Sequence, residues 1–269
     1  MRDITLGQYF PADSVIHRLD PRVKILSLIV SITLVFCAFN YVALAFTAVF
    51  VLTVVLLSKV PLKMYLKSLR VIIIIVVITS LLNLFYGTGE PIWQWGIIKV
   101  TWSGIHNAIF VCVRVICLIL LSSTLTFTTS PTDLTDALER LMKPLTVFHI
   151  KVHEIAMMMT IALRFVPTLL EETDKIMAAQ KARGADMESG NIITRIKALV
   201  PVLIPLFVSA FRRAYELAVA MECRCYQGGD GRTRMKQLHL GKRDAVCIVA
   251  GLVVIAAVVL LDIFFAAYV

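Results

Sequence analysis

Charged residues and recognisable catalytic motifs are scarce in this sequence. Only 17% of its 269 residues are charged, whereas about 25% is usual in soluble domains. There is no GxxxxGK[ST] phosphate loop, no HExxH zinc motif and no GxSxG nucleophile motif. No apolar segment carries the clustered carboxylates that a membrane transferase would need. These absences predict that the chain is not itself an enzyme, that it binds no cofactor of its own, and that it does not bind ATP through a P-loop.

Cysteine and histidine are also few, and their spacing predicts no metal site. The six cysteines lie mostly in apolar segments, where a thiol packs as a small hydrophobic group, and none has the spacing of zinc ligands. His149 and His153 are four residues apart and could bind a metal from one helix face, or they could mark the start of a helix at the membrane interface. The second interpretation is favoured.

Long apolar segments dominate the composition: 59% of the residues are hydrophobic, and mean hydropathy is +0.84. The first segment, residues 25–57, has no charge and exceeds the roughly 20 residues of one bilayer span. It could form one tilted helix or a hairpin of two helices that turns near Asn40. Because basic residues flank both of its ends and such residues collect on the cytoplasmic side, the hairpin is predicted.

The remaining apolar segments complete a predicted set of five transmembrane helices, at about 25–39, 41–58, 70–86, 104–127 and 243–267. Basic residues support this arrangement, because residues 128–243 hold 17 of them and the outer loop 87–103 holds only Lys99. The N-terminus is then cytoplasmic. The net charge of +9 thus reflects topology and the lipid bilayer. No nucleic-acid partner is predicted, because nothing resembles a nucleic-acid-binding module.

The predicted fold is an all-α membrane protein with about five transmembrane helices and a cytoplasmic block of long amphipathic helices. Residues 1–127 form the first membrane part, 128–242 the cytoplasmic block, and 243–269 the last transmembrane helix. Within the block, Ser130 and Pro131 predict the start of a helix that ends before Pro144. Apolar residues at spacings of three and four predict two longer helices, at about 151–183 and 191–226. Pro167 is expected to bend or break the first, and the prolines of the second favour a bend.

Each of these two long helices ends in an arginine between small residues. The first motif is Ala182, Arg183 and Gly184, and the second is Cys223, Arg224 and Cys225. An arginine near a helix C-terminus often only complements the helix dipole. Its guanidinium also offers a rigid set of donors that suits a carboxylate, and small neighbours would let the helix end enter a groove. The repeat of the pattern favours docking onto a partner.

The sequence resembles the EcfT family, the transmembrane coupling subunits of energy-coupling factor (ECF) importers, and in particular its shared, multi-substrate branch. The resemblance covers nearly the whole chain. The stretch “GQYFPADSVIHRLDPRVKI” is similar to the entry segment of the family. The stretches “ALRFVPTLLEE” and “AQKARGAD” resemble its second coupling helix and first Ala-Arg-Gly motif, and “AMECRCY” stands where the second such motif is expected. The cysteines depart from the Ala and Gly of that motif.

The resemblance implies a place in the plasma membrane of a prokaryote, a role in transport and a set of partners. Two ECF ATPase subunits would bind ATP and dock onto Arg183 and Arg224, and a membrane S-component would capture a vitamin or another micronutrient. ATP-driven motion of the ATPases would pass through the coupling helices to the S-component. A hydrophobic platform for the S-component is expected at Met157, Met158, Met159, Leu203 and Phe207; the methionines could instead serve ordinary helix packing.

Two other classes of protein fit the sequence less well. A substrate-translocating permease subunit of a conventional ABC importer would form the pore itself and usually has one coupling loop, so two arginine motifs argue against it. A membrane enzyme would need convergent catalytic groups, which the sequence does not provide. Arg114 is the one basic residue deep in a predicted span. It is expected either to extend toward the cytoplasm or to make a polar contact, inside the bundle or with a membrane partner.

Overall fold

The computed structural model describes residues 9–85, 91–95, 98–185, 191–229 and 238–265. These residues form eight α-helices, one 3₁₀ helix and one short β-hairpin. They belong to two compact units, which are described separately. The first unit contains residues up to Ala137 together with the C-terminal residues from 238 onward, and the second contains residues from Leu138 to 229.

The first unit begins with the predicted helical hairpin. Helix α1 (Pro21–Cys37) and helix α2 (Tyr41–Leu57) are separated by only three residues around Asn40. The turn packs against helix α8 (Lys242–Phe265), where Ala38 and Val258 are fully buried. The apolar segment 25–57 is therefore two helices, as the basic residues on its two flanks predict.

Helix α3 (Leu62–Phe85) and helix α4 (Trp102–Thr128) pack against each other and complete the membrane-type part of the unit. Between them, strand β1 (Pro91–Trp95) pairs antiparallel with strand β2 (Ile98–Thr101). This small hairpin was not predicted, and it is the one departure from an all-helical fold among the described residues. Residue 86 and residues 266–267, which the sequence places in two of the spans, lie outside the described residues.

Two charged side chains satisfy backbone groups at the turn between α1 and α2. From α4, Arg114 donates through Nε to the Val35 carbonyl at 3.2 Å and through Nη2 to the Ala38 carbonyl at 3.0 Å. From α8, the Asp262 carboxylate accepts hydrogen bonds from the backbone N–H groups of Phe39 and Asn40. Helix ends leave such groups without intrahelical partners, and a membrane interior offers no water to replace them. The contact of Arg114 inside the bundle is thus confirmed.

The opposite end of this unit is held by a second set of buried polar contacts. The Asp244 carboxylate accepts a hydrogen bond from the Asp20 backbone N–H at 2.8 Å, which ties the start of α8 to the start of α1. The Lys24 ammonium donates to the Thr128 carbonyl at 2.9 Å and to the His17 carbonyl at 3.1 Å. Lys24 thereby fixes the end of α4 on α1, immediately before the chain continues toward the second unit.

Helix α5 (Pro131–Met142) follows, and its start is the predicted one. The Ser130 hydroxyl accepts a hydrogen bond from the Asp133 backbone N–H at 3.1 Å, and Pro131 occupies the first helical position. After a 3₁₀ helix (Lys143–Phe148), the second unit contains helix α6 (Val152–Ala182) and helix α7 (Ile192–Glu222). Both long helices continue through their internal prolines, so those prolines do not end them.

Within the described residues, three helices are long and apolar enough to cross a membrane: α4, α6 and α8. Helix α3 would be a fourth if its two parts, bent by 56°, form one span. Helices α1 and α2 have 17 residues each, the short end of the range for a bilayer span. Helix α6 was expected to be amphipathic and cytoplasmic, and it passes this criterion because its first half is apolar; its charged residues lie mainly in the second half.

Candidate functional site

The first arginine motif is a helix C-terminus closed by a glycine. Gly184 has φ 88°, a left-handed conformation that glycine adopts without steric cost. The Gly184 N–H bonds to the Lys181 carbonyl at 3.0 Å, and the Ala185 N–H bonds to the Gln180 carbonyl at 3.0 Å. This pair of bonds is the Schellman arrangement, in which Arg183 is the last half-helical residue. The predicted stop at Gly184 is confirmed.

The second motif has the same geometry with a different residue in the left-handed position. Cys225 has φ 54°. Its N–H bonds to the Glu222 carbonyl at 2.8 Å, and the Tyr226 N–H bonds to the Met221 carbonyl at 3.1 Å. Arg224 therefore occupies the same position in its Schellman motif as Arg183 does in the first. The resemblance between the two sequences thus reflects two helix ends with one shared backbone conformation.

Both arginine side chains are exposed. Across the ranges that the structure describes, neither guanidinium has a hydrogen bond or an ion pair to another side chain. Their small neighbours Ala182, Cys223 and Cys225 are exposed as well. Each arginine is thus close to the negative end of a helix dipole, and its side chain is exposed with respect to the described residues. This geometry is compatible with both functions considered from the sequence.

Contacts between α6 and α7 show that the two helices are antiparallel. Gln180 contacts the Pro201 carbonyl, Glu172 contacts Ser209, and Gly229 lies against His153. In these three pairs one residue number rises as the other falls. Arg183 therefore lies at one end of the pair and Arg224 at the other, on the order of 40 Å apart at 1.5 Å per helical residue.

Among the described residues, Glu172 and Gln180 of α6 make polar contacts with α7 between these ends. The Glu172 carboxylate accepts a hydrogen bond from the Ser209 hydroxyl at 2.5 Å and one from Arg213 Nη2 at 2.8 Å. Gln180 Nε2 donates to the Pro201 carbonyl at 3.4 Å. That carbonyl lacks its usual helical donor because Pro205 has no N–H. These contacts were not predicted from the sequence, in which the only signals are a carboxylate interrupting an apolar face and prolines inside a helix.

The chain after the second motif lies against the start of α6. A Cβ on Gly229 would overlap the His153 imidazole, so this close approach requires glycine. On its other side, His153 Nδ1 lies 3.0 Å from Glu139 Oε1 in α5. His149 ends the 3₁₀ helix instead, with φ 62°. The residues that the structure describes contain no group of three or more His, Cys, Asp or Glu side chains that could hold a metal ion.

The residues expected to form the platform lie on both helices of the pair. Met158 and Met159 are exposed near the start of α6, whereas Met157 is half-buried. Leu203 and Phe207 are exposed on α7. The antiparallel register places them opposite the last third of α6, about 30 Å along the helix from the methionines. The exposed apolar side chains Val166, Phe211, Tyr215 and Val219 lie between these two groups, so apolar surface continues along the pair of helices.

Comparisons with known proteins cover nearly the whole chain. A family model described as “Cobalt transport protein” (CbiQ) matches residues 12–235, which include both arginines. An energy-coupling factor transporter transmembrane protein EcfT from Thermosediminibacter oceani is 51% identical over 96% of this chain and 98% of its own length. The proteins of that name from Clostridium kluyveri and Bacillus subtilis are 51% and 48% identical, over 97% and 96% of this chain and 97% of their own lengths in both cases.

The chain belongs to this family of energy-coupling factor transporter transmembrane proteins.

Family membership establishes the chain as the transmembrane component of a transporter and confirms the resemblance stated from its motifs. The relatives are membrane components of transporters and not enzymes by name. The matched region spans residues of both units and both helix ends.

Proposed function

We propose that the chain is the coupling subunit of an ECF importer, which joins two ATPases to a substrate-binding S-component. The observation that supports this proposal best is the pair of exposed arginines in identical helix ends at opposite ends of the α6–α7 pair. Two equivalent and separated docking points suit two similar partners, such as two ATPase subunits. ATP would be bound by those partners.

Docking is tested by purifying the chain from membranes together with the two ATPases. We expect Arg183→Glu and Arg224→Glu each to weaken capture, and the double variant to abolish it. Reversing a charge that pairs with a carboxylate at an interface costs about 2–5 kcal/mol of binding free energy. Arg164→Glu is the matched control, because Arg164 is an exposed arginine in the middle of α6. Unchanged capture by a folded double variant would reduce the arginines to helix caps.

The exposed apolar side chains of α6 and α7, from the methionines to Leu203 and Phe207, are proposed to contact the S-component. Methionine side chains repack easily, which suits a surface that accepts several S-components in turn. Cysteines placed at Met158 and Phe207, both more than 60% exposed, should crosslink to an S-component in membranes. Crosslinking to lipid-facing probes alone, with none to the S-component, would contradict this assignment.

The transported substrate is proposed to be a vitamin or another micronutrient selected by the S-component. The family model names cobalt in its description, and the EcfT names specify no substrate.

The proposed orientation, with a cytoplasmic N-terminus in the plasma membrane, rests on the distribution of basic residues. Labelling of a cysteine placed at Thr146 by a membrane-impermeant reagent in intact cells would argue against that orientation.

A further inference from the structure

We propose that Glu172 is a positioning residue, which fixes α7 to α6 midway between the two arginine motifs so that both motifs move together. The proposal deepens the proposed function and rests on it. It concerns the ion pair of Glu172 with Arg213, together with the Ser209 hydroxyl. None of the three residues belongs to a docking motif.

The geometry of this contact suits a mechanical link. Both carboxylate oxygens of Glu172 are used, one by Ser209 Oγ at 2.5 Å and the other by Arg213 Nη2 at 2.8 Å. Ser209 and Arg213 are four residues apart on α7, so they lie on one face of that helix. The Glu172 and Arg213 side chains are 24% and 38% exposed, which leaves them only partly accessible to water. A charged hydrogen bond in such a site is stronger than one between neutral groups.

The position of the ion pair along the two helices is what points to a role in coupling. Glu172 precedes Arg183 by 11 residues, and Arg213 precedes Arg224 by the same 11 residues. The ion pair therefore joins equivalent positions on two helices that run in opposite directions. Each motif lies about 16 Å along its own helix from this contact. A displacement of one motif would thus be transmitted to the other through a contact that lies at the same distance from both.

The second polar contact between the helices keeps the test interpretable. Gln180 donates to the Pro201 carbonyl nearer the Arg183 end, and this bond does not involve Glu172. Apolar packing of α6 on α7 also remains when the carboxylate is neutralised. Glu172→Gln keeps the size of the side chain and a hydrogen-bonding group, so the variant is expected to fold.

The first experiment measures the link in the isolated chain. Spin labels are attached at the exposed positions Ala178 and Ala220 in a cysteine-free background, and the distance distribution between them is recorded. We expect Glu172→Gln to broaden the distribution, and the exchanged pair Glu172→Arg with Arg213→Glu to narrow it again. Glu171→Gln and Arg212→Gln are the matched controls, because both neighbours are exposed. An unchanged distribution in Glu172→Gln would overturn the proposal.

The second experiment measures transport by the complete complex in proteoliposomes. Glu172→Gln should lower ATP-dependent uptake about tenfold while ATPase capture stays within about twofold of wild type. The exchanged pair should restore most of the uptake, and the two control variants should behave as wild type. Full uptake by Glu172→Gln, or no recovery in the exchanged pair, would overturn the role of Glu172. Failure of the wild-type chain to capture any ATPase would instead overturn the proposed function. The spin-label experiment would still test the Glu172 contact, because it uses the isolated chain.

Discussion

At the scale of single residues, the two motifs differ most at the position after the arginine. Gly184 and Cys225 both have positive φ, at 88° and 54°. Glycine adopts this conformation freely because it has no Cβ, whereas the Cβ of cysteine lies close to a backbone carbonyl oxygen. The small residue after each arginine thus has a backbone role, whatever it also does for docking. The second helix end should be the more strained of the two.

This difference predicts opposite effects of two substitutions. Cys225→Gly should stabilise the protein by about 1 kcal/mol, and Gly184→Ala should destabilise it by about the same amount. Thermal unfolding in detergent, followed by circular dichroism, measures both. Ala182→Gly serves as the control, because Ala182 ends α6 in a helical conformation and gains nothing from glycine. A destabilised Cys225→Gly variant would show that the cysteine side chain makes a contact worth more than the strain.

The sequence predicted the helix end at the first motif, but it did not predict the left-handed residue that closes the second. Gly184 is a recognisable helix stop, and it acts as one. Cys225 carries no such signal, because cysteine does not favour positive φ and the conformation is set by the two closing hydrogen bonds. The pairing of Glu172 with Arg213, 41 residues apart, depends on the register of two helices, which periodicity within each helix does not determine.

At the scale of helices, Arg114 should stabilise the membrane unit by satisfying the end of α1. Arg114→Leu removes donors from the carbonyls of Val35 and Ala38 and should cost about 1.5–3 kcal/mol, the usual contribution of a hydrogen bond to a charged group. Thermal unfolding in detergent measures the loss, and Arg114→Lys should recover part of it. Equal stability of Arg114→Leu and wild type would mean that the α1 carbonyls find other donors.

The close packing of Gly229 on His153 predicts a pair of compensating substitutions. Gly229→Ala places a Cβ against the imidazole and should destabilise the second unit by about 1–3 kcal/mol, the usual cost of overpacking. His153→Ala in the same chain removes the clash and should recover most of that loss. Protease sensitivity of the segment after the second motif is the measurement. A Gly229→Ala variant as resistant as wild type would contradict the contact.

Helix boundaries were more predictable than membrane assignments. Charge flanking residues 25–57 predicts two helices, and α1 and α2 are separate. Composition alone does not decide whether α6 lies on a membrane or crosses one, since its first half is apolar and its second half carries the charges. The β1–β2 hairpin was not predicted, because strands of only five and four residues give a weak periodic signal.

At the scale of the whole molecule, the chain combines a helical unit rich in apolar surface with a unit built on two long antiparallel helices. The repeat of 41 residues relates both the two arginines and the two members of the Glu172–Arg213 pair. The two proposed docking arginines and the two members of the ion pair are thus separated by the same number of residues. This regularity is the main reason to interpret α6 and α7 as one device with two equivalent ends.

The central claim is that each arginine motif holds one ATPase, and the most direct test is to count them. Native mass spectrometry of the purified complex should show two ATPase subunits with the wild-type chain. It should show one with either Arg183→Glu or Arg224→Glu, and none with the double variant, because each substitution removes one of two separate contacts. Two ATPases retained by the double variant, with the chain folded, would contradict the account.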